Sequence, residues 1–123
     1  MTPTILVQVK TRYIDEQSEP QELRFVYGYT ITLLNQGNQP ARLVSRHWII
    51  TDAEGAVQEV QGMGVVGEQP HLDPGESYTY TSGVVLQTET GTMTGSYQMV
   101  TDEGVGFDAQ IPEFALVPPH ALH

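Results

Sequence analysis

A chain of 123 residues with fifteen acids, five bases and no cysteine has room for one domain of ordinary size and little else. The missing cysteines exclude disulfide scaffolds, thiolate zinc sites and cysteine nucleophiles together. A formal charge of −10 opposes any tight grip on phosphate backbones or anionic lipid, so neither nucleic acid nor a membrane surface is expected as a partner.

The charge is also divided along the chain. All five bases, Lys10, Arg12, Arg24, Arg42 and Arg46, lie in the first 46 residues beside Asp15, Glu16, Glu19 and Glu22, whereas eleven acids and no base follow Arg46. In one fold this yields a face with bases and a negative remainder, which keeps the surface soluble or draws cations and basic partners. The start, Met1-Thr2-Pro3-Thr4-Ile5-Leu6, lacks a basic segment leading into a long apolar stretch. The longest apolar runs, such as Trp48-Ile49-Ile50, fall far short of the ~20 residues that span a bilayer, so the expected compartment is the cytoplasm.

In chain order, the period of two appears first between Thr4 and Ile14, where Ile5, Val7, Val9 and Tyr13 share one face and Gln8, Lys10 and Arg12 the other. From Leu23 to Leu34 it recurs with Phe25, Tyr27, Tyr29, Ile31 and Leu33 on one face, until Asn35-Gln36-Gly37-Asn38 breaks it. Ala41 to Thr51 carries apolar residues on both faces and predicts a central strand covered on both sides. Asp52-Ala53-Glu54-Gly55 turns the chain into a short strand at Ala56 to Val60, and a long loop is expected from Gln61 to Gly75. Asp73-Pro74-Gly75 then launches a strand from Glu76 to Ser82, with Tyr78 and Tyr80 on one face. Thr92 to Thr101 places Met93, Tyr97 and Met99 together, and Asp102-Glu103-Gly104 leads into Val105 to Ile111, which Pro112 should end. A Pro-containing tail, residues 113–123, is expected to fray unless Leu116, Val117 and Leu122 dock it.

Seven short antiparallel strands without a helix predict an all-β domain over residues 1–123. The expected form is a two-sheet sandwich of the immunoglobulin or fibronectin type III kind, with a closed barrel as the alternative. The absent cysteine pair removes the antibody-type pattern and leaves the fibronectin-like version. Tyr97 fits two roles, a tyrosine corner or a plain core ring with its hydroxyl paired.

Chemistry is less visible. Gly62-Met63-Gly64-Val65-Val66-Gly67 is a literal G-x-G-x-x-G, but a phosphate-binding version needs a helix N-terminus next, and Glu68-Gln69-Pro70 follows instead. Gly62, Gly64 and Gly67 are therefore either a structural loop or a ligand-binding one. His71 lies near Glu68 and Asp73, a mixed nitrogen and oxygen set that would take a divalent cation weakly or stand as a solvated loop. His47, His120 and His123 have no ligand spacing, and no nucleophile elbow exists, so no enzyme and no cofactor are expected.

Several ordered blocks resemble the ApaG family: Arg46-His47-Trp48-Ile49-Ile50-Thr51-Asp52; Gly62 through Pro70; Leu72-Asp73-Pro74-Gly75-Glu76-Ser77-Tyr78-Thr79-Tyr80-Thr81-Ser82-Gly83; Gly91 through Met99; Phe107-Asp108; Ile111-Pro112; and the Ala-Leu-His ending. The resemblance covers nearly the whole chain. It implies a fibronectin type III-like sandwich, a link to cobalt and magnesium resistance or efflux, and a genetic neighbourhood with a diadenosine tetraphosphate hydrolase. Related domains in F-box protein 3 and polymerase-delta-interacting protein 2 imply a protein-contact role, and the family's glycine motif implies a pyrophosphate site at Gly62, Gly64 and Gly67. Two readings stand: an interaction domain for a protein partner, homodimer included, and a domain holding a nucleotide pyrophosphate or divalent cation between Gly62 and Asp73.

Overall fold

The computed structural model describes residues 4–121. Where apolar and polar residues alternate, the chain extends into β1 (Ile5–Tyr13), β2 (Phe25–Asn35), β3 (Ala41–Asp52), β4 (Val57–Met63), β5 (His71–Leu72), β6 (Ser77–Leu86), β7 (Gly91–Thr101) and β8 (Gly106–Leu116). Single 3-10 turns occupy Asp15–Gln17, Pro20–Glu22 and Pro119–Ala121. All ladders are antiparallel. One sheet runs β1-β2-β6; the other runs β4-β3-β7-β8, with β5 pairing β3 beyond the end of β4. This is the fibronectin type III-like sandwich that the alternation predicts, with the two-residue β5 added to the seven expected strands.

β2 shows most plainly how the sequence makes the layers. Phe25, Tyr27, Tyr29, Ile31 and Leu33 are all buried, while on the opposite face the hydroxyls of Thr30 and Thr32 meet those of Thr81 and Thr79 on β6 at 2.8 and 2.9 Å. Between the sheets, Trp48 stands edge-on to Tyr29, Tyr97 and Phe114, with centroids 5.3, 6.3 and 5.9 Å away. Burying each such large side chain contributes on the order of 1.5–3 kcal/mol, and the edge-to-face geometry adds a further increment.

Five local expectations need correction. β3 is interior to its sheet, but its two-faced apolar pattern does not mean cover on both sides. Its pairing with β7 skips Val44, and this bulge switches the inward set from Ala41 and Leu43 to Trp48 and Ile50. Pro112 does not end β8. Met93 pairs Phe114 and Gly95 pairs Ile111, so Pro112 and Glu113 form a bulge on an edge strand, where a missing N–H costs least. Val105 precedes β8 and is 56% exposed. The expected loop from Gln61 to Gly75 is shorter, because Gln61 to Met63 belong to β4 and His71–Leu72 to β5. The tail is anchored in part: β8 continues to Leu116, and Leu116 and Pro118 are fully buried, while Leu122 and His123 lie outside the described residues.

Tyr97 is not a tyrosine corner. It lies mid-way along β7 with its ring buried, and its hydroxyl meets the hydroxyl of Tyr80 from the other sheet at 2.5 Å instead of a backbone carbonyl. The pair satisfies two hydroxyls inside the core, where an unpaired one would cost about 1–3 kcal/mol. Burial pushes the phenol pKa values of both residues well above the ordinary tyrosine range. A third ring, Tyr27, reaches the carbonyl of Glu89 at 2.6 Å and so ties β2 to the β6–β7 connection.

Candidate functional site

The glycine motif folds back on itself. Gly62 lies near the end of β4 opposite Arg46, and the amide of Gly64 donates to the Val44 carbonyl at 2.8 Å. The amides of Val65 and Glu68 donate to each other's carbonyls at 2.8 and 2.9 Å, enclosing a two-residue turn. Its central residues, Val66 and Gly67, have φ of 43° and 82°, the mirror-image turn that suits tight hairpins. At Gly64, with φ of 66°, a Cβ would stand 2.4 Å from the Glu68 carbonyl oxygen, so only glycine fits. Val65 is buried and anchors the loop in the core.

Two arginines from β3 bind this loop. Arg46 Nη1 donates to the carbonyls of Met63 and Gly64 at 3.1 and 2.9 Å, and its guanidinium lies where a Cβ on Gly62 would be. Arg42 Nη1 donates to the Gln69 carbonyl at 2.7 Å, and the Gln69 side chain returns a bond to Val44. The bases that sequence reading found missing beyond residue 46 are thus supplied by antiparallel pairing, but they point at carbonyl oxygens. A pyrophosphate cradle presents free amides at a helix N-terminus. Here the amide of Gly64 is spent on the Val44 carbonyl and those of Val65 and Glu68 inside the hairpin, no helix follows, Gly62 and Gly64 stand where a Cβ would clash, and Gly67 supplies a positive φ to the turn.

The three residues assigned to a cation fall apart in the same way. Glu68 closes the hairpin. His71 Nε2 lies 2.8 Å from Asp102 and its Nδ1 3.9 Å from Asp73, while the Asp73 amide takes part in the turn into β6 by donating to the Glu76 carboxylate. Among the described residues no group of three or more His, Asp or Glu side chains could hold a metal ion. Glu68, His71 and Asp73 therefore do not form the cluster that their spacing suggested. On the outer face of the larger sheet an open depression of about 500 Å³ includes Ser45, His47, Gln61, Met63 and Gln98. There the Ser45 hydroxyl donates to Gln98 at 2.9 Å and His47 pairs with Glu59 at 2.9 Å, so serine and histidine are committed to different partners.

The feature that sequence reading missed is a seam. The sheets meet along β1 and β8, whereas β4 and β6 leave a groove between them. The groove is formed by two cavities of about 380 and 390 Å³ that share Ile50, Gln58 and Val85. Tyr29, Trp48, Val60 and Arg46 line it, while at its rim Val57 and Val85 alternate out of phase with the inward Val60, Tyr80 and Leu86 and stand exposed on the outer faces. No motif could have signalled it, because it arises from which strands lie at the sheet edges.

Comparison with known proteins agrees with this geometry. Residues 15–101 match the family model of the ApaG domain. The chain belongs to the ApaG family. It is 59% identical over 117 residues to Protein ApaG of Pseudomonas aeruginosa, covering 95% of this chain and 93% of the relative. It is 58% identical over 119 residues to Protein ApaG of Dechloromonas aromatica, covering 97% and 94%. The crystal structure of the putative ApaA protein from Bordetella pertussis superposes with a TM-score of 0.94 at 49% identity, covering 97% of both chains. The ApaG sandwich is thus shared with a solved relative over nearly its full length. Among the described residues no helix is long and apolar enough to cross a membrane.

Proposed function

We propose that this ApaG domain is a non-catalytic contact module that binds a protein partner. The carrying observation is the open seam between β4 and β6, a concave groove of mixed polar and apolar lining over Tyr29, Trp48, Ile50 and Val60. A concave site with aromatic and aliphatic side chains at its floor and a few polar groups around them is where a protein takes a ligand or a partner's side chains. The reactive side chains support the same reading, since His47, His71 and Ser45 are each held by a neighbour that leaves no nucleophile and base facing one another.

The module acts in the cytoplasm, where a chain without cysteine has no need of an oxidising compartment. The link to cobalt and magnesium handling that family resemblance implies is carried by the partner, to which this domain contributes binding. The glycine hairpin positions Arg46 at the groove and holds no nucleotide.

Reconstitution tests the reading. A partner captured on the immobilised domain, purified and recombined, should form a stoichiometric complex by light scattering. Turnover of a metabolite by the purified domain, or nucleotide binding lost on Gly64→Ala, would overturn it.

A further inference from the structure

Resting on the contact-module reading, the geometry points to a mode of binding and a partner chemistry: we propose that the free edge of β6 accepts an extended segment of another protein as an added antiparallel or parallel strand, uncharged and apolar at alternate positions and basic at its ends.

The two sheets present four edge strands, β1, β6, β4 and β8. Unpaired edge strands recruit other chains, and proteins blunt them with charges, prolines, bulges or short length. β1 carries Lys10 and Arg12 and packs along β8. β8 carries Asp108, Glu113 and the Pro112 bulge. β4 is seven residues long with Glu59 mid-strand. β6 has none of these: its ten residues, Ser-Tyr-Thr-Tyr-Thr-Ser-Gly-Val-Val-Leu, include no charge and no proline, and its register with β2 is unbroken from Ser77 to Leu86. Every second residue of such an edge directs its N–H and C=O away from β2, over a span of about 33 Å.

The groove lies directly beside that edge. A strand added to β6 would project alternate side chains over Trp48, Ile50 and Val60, and main-chain bonds would supply affinity while the pockets select side chains. A second copy of this chain fits less well. The inward side chains of its own β6, Tyr80 and Leu86, are buried in its own core and cannot enter the groove. Charge decides the ends of the segment. β4, β6 and their adjoining turns carry Asp52, Glu54, Glu59, Glu76 and Glu89 and no Lys or Arg; in the groove Arg46 is engaged by two carbonyls, and Lys10 and Arg12 lie beside Thr81, Ser82 and Gly83 in a separate depression. Lys or Arg flanking the partner segment complements this field and suppresses pairing between two chains of charge −10.

The test is selection from a phage-displayed library of random dodecapeptides on the whole domain, followed by amide hydrogen exchange with a selected synthetic peptide bound. Selected sequences should alternate apolar residues between basic ends, and β6 amides should slow markedly while β1 and β8 amides do not change. Val85→Lys should weaken the peptide by roughly tenfold or more, and Val85→Glu should not. A thermal melt confirms that both variants are folded, and the exchange pattern of the unsubstituted domain decides the matter if either is not. Peptides of helical period or acidic ends, protection at another edge, or no selectable peptide would overturn this mode of binding. If a reconstituted protein complex still forms in those cases, the contact-module reading stands without it. Dimerisation through β6 would overturn the partner class, and failure of both selection and reconstitution would end both claims.

Discussion

The two long sides of the sandwich are made from similar strands and finish differently. Along β1 and β8 the sheets touch, and both edges carry charge, with a bulged proline on β8. Along β4 and β6 the sheets leave a groove over Trp48 and Tyr29, and β6 presents ten residues without a charged group. A domain selected only to fold and stay soluble gains by guarding both sides. On the proposed contact-module reading, leaving one unguarded separates the part that holds the fold from the part that meets a partner.

Substitutions should divide along that line. The largest effect belongs to the closed side: Leu116→Ala on β8 removes a fully buried side chain and should cost about 2–5 kcal/mol in equilibrium unfolding. Next comes the tyrosine pair that bridges the layers. Tyr80→Phe strands the Tyr97 hydroxyl and should cost about 1–3 kcal/mol, whereas the Tyr80→Phe/Tyr97→Phe double variant should lose less than the two single losses added.

The same rings set an alkaline limit. Burial, with the neighbouring Tyr13 and Glu89, pushes Tyr27 up to about 12 from 10, and Tyr80 and Tyr97 are raised further in the same direction, chiefly by burial. The native state then holds these protons more tightly than the unfolded chain. Their contribution is intact below pH 10 and declines as pH climbs through the folded values. Urea midpoints should be level from neutral pH to about 10 and fall beyond it.

Smaller effects sharpen the contrast at the open end. Val66 is a β-branched residue at φ of 43° and more than half exposed, so Val66→Asn should stabilise the hairpin by roughly 1 kcal/mol, read as a raised melting temperature. Val85→Ala on the outer face of β6, where the side chain is 45% exposed, should change the melting temperature little, by no more than about 0.5 kcal/mol in stability.

Much of the fold was legible because burial repeats at the strand period. β2 and β7 place their aromatic and methionine residues inward as the alternation says. The bulges at Val44 and Pro112 were hidden, since one extra residue changes phase without changing composition. β5 is too short to carry a pattern. The site was legible only in part. The glycine motif marks the place of a tight turn, but Arg46 and Arg42 reach it through pairing between distant segments, and the Tyr80–Tyr97 contact joins residues from different sheets. The seam is written in no local stretch, because it is defined by the strand that is not there.

The most direct measurement places a photo-crosslinking amino acid at position 85, on the open side, or at position 6, on the exposed part of the closed side, in cells producing the domain. The seam account predicts one discrete crosslinked protein from position 85 and none from position 6. A discrete product from position 6 with none from position 85 would contradict it.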